Sequence, residues 1–183
     1  SATIDAARIA DEAGALISYD PNYRPLLWDS QEEAISVINS VLPYCDIVKV
    51  SYEELQLMTG LDDLDAGAGA ISGKGPECVV VTLGPDGAFI RTGRHSASYR
   101  TYDVKTIDTT GAGDSFYGAF LYKILKLCCH PGRSLDSLSA DEIDSAMMFA
   151  NAAGSLATMK HGAIPSLPGI DEINRCISSC SLL

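Results

Sequence analysis

A chain of 183 residues with 46% hydrophobic and 20% charged residues has the composition of one globular domain with a sizeable core, which excludes a disordered chain. Thirteen basic against twenty-four acidic residues give a formal net charge of −11, which excludes nucleic acid as a partner because phosphate backbones are held by clustered Lys and Arg. No apolar run approaches the ~20 residues that span a bilayer and no charged-then-apolar leader opens the chain, so neither membrane insertion nor secretion is expected.

Residues 2–13 are alanine-rich, with Ile4 and Ile9, and predict a helix stopped by Gly14; the apolar run 15–19 predicts a buried strand. Pro21 and Pro25 enforce a loop, and Asp29 and Ser30 ahead of Glu32 and Glu33 mark the capped start of a helix reaching about residue 41. A strand over 46–50, a helix over 52–59 ended by Gly60, a second helix over 62–72 and a valine-rich buried strand over 77–83 follow. Strands separated by helices imply βαβ units with right-handed crossovers and a parallel sheet covered on both faces. After Gly84 the pattern alternates, and 87–91 with 96–104 flank Thr92-Gly93-Arg94 as an antiparallel hairpin. Helices are expected over 112–128, broken by Pro131-Gly132, over 140–160, and over 169–180. No repeat or linker divides the chain, so residues 1–183 are expected to form a single domain.

The six cysteines show no Cys-x-x-Cys or zinc-like spacing, which points to idle thiols in a reducing cytoplasm. Gly73-Lys74-Gly75 lacks the spacing and the Ser or Thr of a P-loop, and His95, His130 and His161 are scattered.

The run Asp108-Thr109-Thr110-Gly111-Ala112-Gly113-Asp114-Ser115-Phe116 carries the chemistry. Gly111 and Gly113 let the backbone turn sharply and bring N–H groups close to an anion, and the helix that opens there adds about half a positive charge. A carboxylate beside a bound phosphate is a poor ligand for it, but it can take the proton of an alcohol that attacks it. Phosphoryl transfer to a hydroxyl is the chemistry implied, although an Asp in a first helical turn also suits the dipole alone.

This run resembles the signature of the ribokinase-like, or PfkB-type, carbohydrate kinases. The segments Tyr19-Asp20-Pro21-Asn22-Tyr23-Arg24-Pro25-Leu26-Leu27-Trp28, Lys49-Val50-Ser51-Tyr52-Glu53-Glu54, Thr82-Leu83-Gly84-Pro85-Asp86-Gly87 and Asn151-Ala152-Ala153-Gly154 are similar to family segments in the same order. Within the family the first of these looks most like bacterial fructokinases, with 2-keto-3-deoxygluconate kinases a near neighbour. The resemblance implies a three-layer α/β/α sandwich with a mainly parallel sheet. It also implies that the chain is the C-terminal, nucleotide-binding portion of a longer kinase, without the N-terminal part and its β lid, and a homodimer is the expectation for that longer protein.

By the resemblance, Asp114 is the base that deprotonates the sugar hydroxyl, and the backbone N–H groups of Gly111, Ala112 and Gly113 form the anion hole. Glu54 matches a glutamate that organises Mg2+ near the phosphates of ATP; the family's Asn at the start of that motif is Ser51 here. Lys49 is expected to reach the ATP phosphates, Thr82, Gly84 and Gly87 to contact the nucleotide, and Asn151 to line the adenine pocket. The residues themselves leave open an exposed helix carboxylate for Glu54, a solvated amine for Lys49 and a helix-packing amide for Asn151. Arg24 is the expected substrate contact, while Asp20 and Asn22 can equally bond their own loop. A K+ site of mainly carbonyl oxygens is implied at Asp108, Thr110, Ala157, Lys160, Gly162 and Ser166. Asp20, Ser51, Gly84 and Asp108 each follow an apolar run, so the cleft is expected at strand carboxyl ends. The implied activity is ATP-dependent phosphorylation of a sugar, with fructose first; a 2-keto-3-deoxygluconate kinase and a non-catalytic nucleotide-binding fragment are the alternatives.

Overall fold

The computed structural model describes residues 2–183, which fold as two compact units, one running to Leu83 and including Phe89–Ala97, the other Gly84–Ala88 with Ser98–Leu183. The first unit contains α1 (Ala2–Glu12), β1 (Ser18–Tyr19), α2 (Gln31–Val41), β2 (Ile47–Ser51), α3 (Tyr52–Thr59), α4 (Leu64–Ser72) and β3 (Cys78–Thr82). Three of these helix starts are specified locally. Ser30 Oγ accepts the Glu33 N–H at 3.0 Å, Ser51 Oγ accepts the Glu54 N–H at 3.2 Å, and Asp63 Oδ1 accepts the Ala66 N–H at 2.8 Å, each cap contributing about 1 kcal/mol.

Strands β1, β2 and β3 are parallel neighbours, with Ser18 opposite Ile47 and Ser51 opposite Thr82. Ile47, Val48, Val50, Val79, Val80 and Val81 are fully buried, as a parallel strand covered on both faces requires, and Ile38, Leu42, Leu55 and Ile71 from the helices complete the core. The sheet continues with β4 (Ala88–Thr92) and β5 (Ser96–Tyr99) in the order β1-β2-β3-β4-β5. Both connections are far shorter than the dozen or so residues of a parallel crossover, so β4 runs against β1, β2, β3 and β5 and the sheet is mostly parallel.

Residues 15–19 depart from the expected buried strand. Only Ser18–Tyr19 form a strand, at the outer edge of the sheet; Ile17 is tied to Asp46 and Ile47 through its carbonyl, and Leu16, outside the strand, is 41% exposed.

The second unit contains α5 (Ala112–Cys128), α6 (Ala140–Ala157) and α7 (Ile170–Ser179). Ser139 and Glu142 close a reciprocal cap at the start of α6, and Phe149, Ala152 and Ala153 of α6 pack with Tyr102 and with Ile173 and Cys176 of α7. The expected strand over 96–104 ends at Tyr99, with one isolated bridge from Tyr102 to Leu182. Side chains of α6 take the backbone groups that a longer strand would have paired. Asn151 Nδ2 donates to the carbonyls of Tyr99 and Arg100 at 3.3 and 3.2 Å, and Ser155 Oγ accepts the Tyr102 N–H at 3.2 Å. The helix expected to reach residue 160 stops at Ala157, where the carbonyl of Thr158 turns away to accept the N–H groups of Ile107 and Asp108 at 2.7 and 3.1 Å.

Gly87 is required twice over. Its φ is 98°, and a Cβ there would lie 2.0 Å from the Tyr99 carbonyl oxygen. Gly87→Ala should destabilise the protein by about 2 kcal/mol or more, read as a lower denaturant midpoint with an unchanged slope.

Candidate active site

The start of α5 is shaped by one glycine and one carboxylate. Gly111 caps the helix at φ 78°, and a Cβ on it would come within 2.8 Å of Ala163 Cβ and 2.9 Å of Ala163 Cα, so only glycine lets the two segments approach. Asp108 joins the same segments from below: Oδ1 accepts the Thr110 N–H and Oδ2 the Gly162 N–H, both at 2.9 Å. His161 Nδ1 lies 3.7 Å from Oδ2. The Gly162 N–H above all, then Thr110 and the nearby imidazole, hold the Asp108 carboxyl well below the usual carboxylate range.

Asp114 is the third residue of α5, and it is exposed in the first turn, where the helix dipole favours negative charge. Of the three expected anion-hole donors, the Ala112 N–H is already engaged by the Thr109 carbonyl at 3.1 Å. The N–H of Gly113, one residue further into the helix, has no acceptor that helix geometry supplies. Asp108, Thr110 and Gly162, three of the six residues expected around K+, are joined through one carboxylate. Ser166 is buried and its Oγ donates to the Ala163 carbonyl at 2.7 Å, Ala157 is buried at the end of α6, and Lys160 Nζ faces Glu172 at 3.9 Å. Asp108 follows a loop rather than the strand expected before it.

A second cluster lies in the first unit. Asp20 directly follows β1, Ser51 ends β2 and Thr82 ends β3, so these three share the carboxyl edge of the parallel strands. A pocket of about 330 Å³ is lined by Tyr23, Arg24, Lys49, Ser51 and Glu54 among others. Glu54 is 8% exposed, so it is no solvated helix carboxylate: Oε1 accepts the Tyr23 N–H at 2.6 Å and Oε2 the Ser51 N–H at 2.8 Å. It thereby fastens the Asp20–Pro25 loop to the start of α3. Lys49 is likewise buried and pairs with Asp20 Oδ2 at 3.0 Å, while Asp20 Oδ1 accepts the Asn22 N–H at 3.2 Å. Asp20 therefore does two jobs, turning its own loop and neutralising a buried ammonium. The pairing with Lys49 has no signal in the sequence, since the two residues are 29 apart.

The remaining expected nucleotide residues are spread along the chain. Thr82 Oγ1 reaches the Val50 carbonyl at 3.4 Å, Gly84 and Gly87 bracket a tight turn closed by a Gly87 N–H to Gly84 carbonyl bond at 3.3 Å, and the Asn151 amide is spent on the Tyr99 and Arg100 carbonyls. Thr158 and Ala163 are two positions the sequence reading missed. Thr158 acts through its main-chain carbonyl and Ala163 through contact with Gly111, so side-chain identity carries no signal for either.

Because the Asp108 carboxyl is depressed in the fold, its contribution to stability is complete above its unfolded value of about 4 and is lost as pH falls below that, through the folded value. The gap in melting temperature between the parent and Asp108→Asn should be widest at pH 5–7, where about all of the unfolded carboxyl is ionised, and should narrow on acidification to about pH 2. A gap that stays constant with pH would contradict the depressed carboxyl.

Comparison with known proteins bears on the whole chain. Residues 1–170 match the family model described as pfkB family carbohydrate kinase. Fructokinase-1 of Oryza sativa subsp. japonica is 41% identical over 180 residues, covering 98% of this chain and 54% of its own length. The fructokinase of Vibrio cholerae O395, solved in a fructose-, ADP- and calcium-bound form, superposes with a TM-score of 0.83 at 34% identity, over 96% of this chain and 55% of that one. The fructokinase of Xylella fastidiosa with bound ATP gives a TM-score of 0.84 at 28% identity, over 96% and 56% respectively. These likenesses establish the ribokinase-like three-layer α/β/α fold with a mostly parallel five-stranded sheet. The chain spans about half the length of the curated relatives it matches. With the glycine turn, the first-turn Asp114 and the Glu54 node all in a chain matched along nearly its whole length, the protein belongs to the pfkB family of carbohydrate kinases.

Proposed function

We propose that the complete protein to which these residues belong transfers the γ-phosphoryl group of ATP to fructose, giving fructose 6-phosphate and ADP. The observation that carries this reading is the start of α5, where Gly111 and Asp108 hold a helix N-terminus beside Asp114. Fructose is favoured over other acceptors by the fructokinase relatives at 41% identity and by the fructose- and ADP-bound neighbour from Vibrio cholerae.

In this mechanism the sugar hydroxyl attacks the γ-phosphorus in line as its proton passes to the Asp114 carboxylate, and the bond to the ADP oxygen breaks. The Gly113 N–H and the positive end of α5 stabilise the charge on the transferred group. Arg24, which lines the pocket, supplies positive charge for phosphate or substrate oxygens, and Lys49 retains Nζ donors beyond the one it gives Asp20. Glu54 keeps lone pairs beyond its two N–H bonds and is the residue that would hold Mg2+ through water; the ion supplies charge neutralisation on the phosphates. K+ is placed beside the anion site at Asp108, Thr110 and Gly162, which the Asp108 carboxylate brings together, and a double mutant of the Vibrio cholerae fructokinase was solved in a potassium-bound form.

Asp114→Asn in the complete protein should lower kcat by ~10²–10⁴-fold while leaving the affinity for ATP nearly unchanged, because neutralising a carboxylate does not weaken an anion site. Near-normal turnover by this variant, measured by coupled ADP release, would sink the assignment of the base. In a substrate panel, kcat/KM should be highest for fructose; a preference for 2-keto-3-deoxygluconate would select the neighbouring activity instead.

A further inference from the structure

A pocket of about 570 Å³ opens in the second unit between residues 103–105, the end of α6 and one face of α7. That volume lies within the ~300–1,000 Å³ range of small-molecule sites. Val104, Leu156, Met159 and Pro168 supply apolar wall, and the thiols of Cys176 and Cys180 line the side formed by α7. Lys160 is its one residue in common with those assigned above to phosphate, nucleotide or cation.

The charge at this pocket runs against that of the chain. Lys105, Lys160 and Arg175 line it against the carboxylates of Asp103 and Glu172, on a protein whose formal net charge is −11. Glu172 is already committed: Oε2 accepts the Gly169 N–H at 2.8 Å and Oε1 faces Lys160 at 3.9 Å, interactions that hold its carboxyl below the ordinary value. Arg175 spends Nε on the Asp171 carbonyl at 3.2 Å, and its terminal nitrogens carry four further donors. Behind the thiols sits Tyr102, 2% exposed, whose hydroxyl has no hydrogen-bond partner among the described residues. Burial and the nearby Cys176 and Cys180 push its ionisation up, so it remains a neutral O–H donor. An apolar wall and cationic donors beyond those that Glu172 and the Asp171 carbonyl engage suit an anionic ligand with an apolar body.

We propose that this pocket binds a small organic anion with an apolar body, the anionic group held by Lys105 and Arg175 and the body lying against Val104, Leu156 and Met159. The site is separate from the one that takes ATP, and it does not depend on the sugar-kinase reading.

The probe is 8-anilinonaphthalene-1-sulfonate, an aromatic sulfonate whose fluorescence rises in an apolar site, titrated into the folded protein with and without saturating ATP and magnesium. Saturable one-site binding that ATP leaves unchanged is expected. Lys105→Gln combined with Arg175→Gln should weaken it about tenfold or more, as should loss of the sulfonate in N-phenyl-1-naphthylamine. Met159→Trp should block it by filling the groove, with circular dichroism and melting temperature confirming that each variant is folded. On the unsubstituted protein, bound probe should slow alkylation of Cys180 and leave the exposed Cys129 unaffected. Unsaturable binding, displacement by ATP, equal affinity in folded variants, or unchanged alkylation of Cys180 would each overturn the proposal.

Discussion

The Asp108 carboxylate is the interaction on which the start of α5 depends. Its two oxygens take the N–H groups of Thr110 and Gly162, and the segment it closes sets Gly111 against Ala163 with no space for a side chain. A helix start can attract an anion only if its first N–H groups are presented in a fixed direction, and here that direction is imposed by a joint between segments more than fifty residues apart. The Thr158 carbonyl reinforces the joint from α6 by accepting the N–H groups of Ile107 and Asp108.

Glu54 plays the corresponding part in the first unit. One carboxylate oxygen completes the cap of α3 and the other captures the Tyr23 N–H, so a residue assigned to magnesium also holds the loop that carries Arg24. Two uses of one side chain are compatible, because each carboxylate oxygen retains a lone pair after accepting one N–H. The substitution of Ser51 for the family's Asn is accommodated by the same geometry: the serine hydroxyl accepts the Glu54 N–H as a helix cap, a task serine performs as well as asparagine. The burial of Lys49 follows from its place in β2, where the strand is covered on both faces and only the Asp20 carboxylate lets the ammonium remain there.

The elements most legible in the sequence were those with local causes. The helices Tyr52–Thr59 and Ala112–Cys128 agree with their expected limits because a Ser cap with Glu54 opens the first, Gly60 closes it, and a glycine turn opens the second. The valine-rich β3 and the apolar β2 were equally plain, since strands covered on both faces read as continuous apolar runs. Where the outcome depended on a distant partner, the reading went astray. The run at 15–19 has the composition of a core strand, yet only its last two residues form one, at the edge of the sheet. The strand ending at Tyr99 and the helix ending at Ala157 were both cut short by bonds across the second unit that no local pattern announces.

The candidate site divides along the same line. Sequence alone named the groups on offer, because a glycine turn followed by a first-turn carboxylate is a matter of residue type and spacing. It also determined the βαβ texture that makes the sheet parallel. Tertiary structure alone decided which groups are free to act. It spends the Ala112 N–H on Thr109 and the Asn151 amide on Tyr99 and Arg100, buries Lys49 against Asp20, and depresses Asp108 by aiming two backbone donors at it. Hydrogen-bond partners and solvent exposure are properties of residues brought together by folding, so the identity of a side chain can name a role while its neighbours in space settle whether that role is open to it.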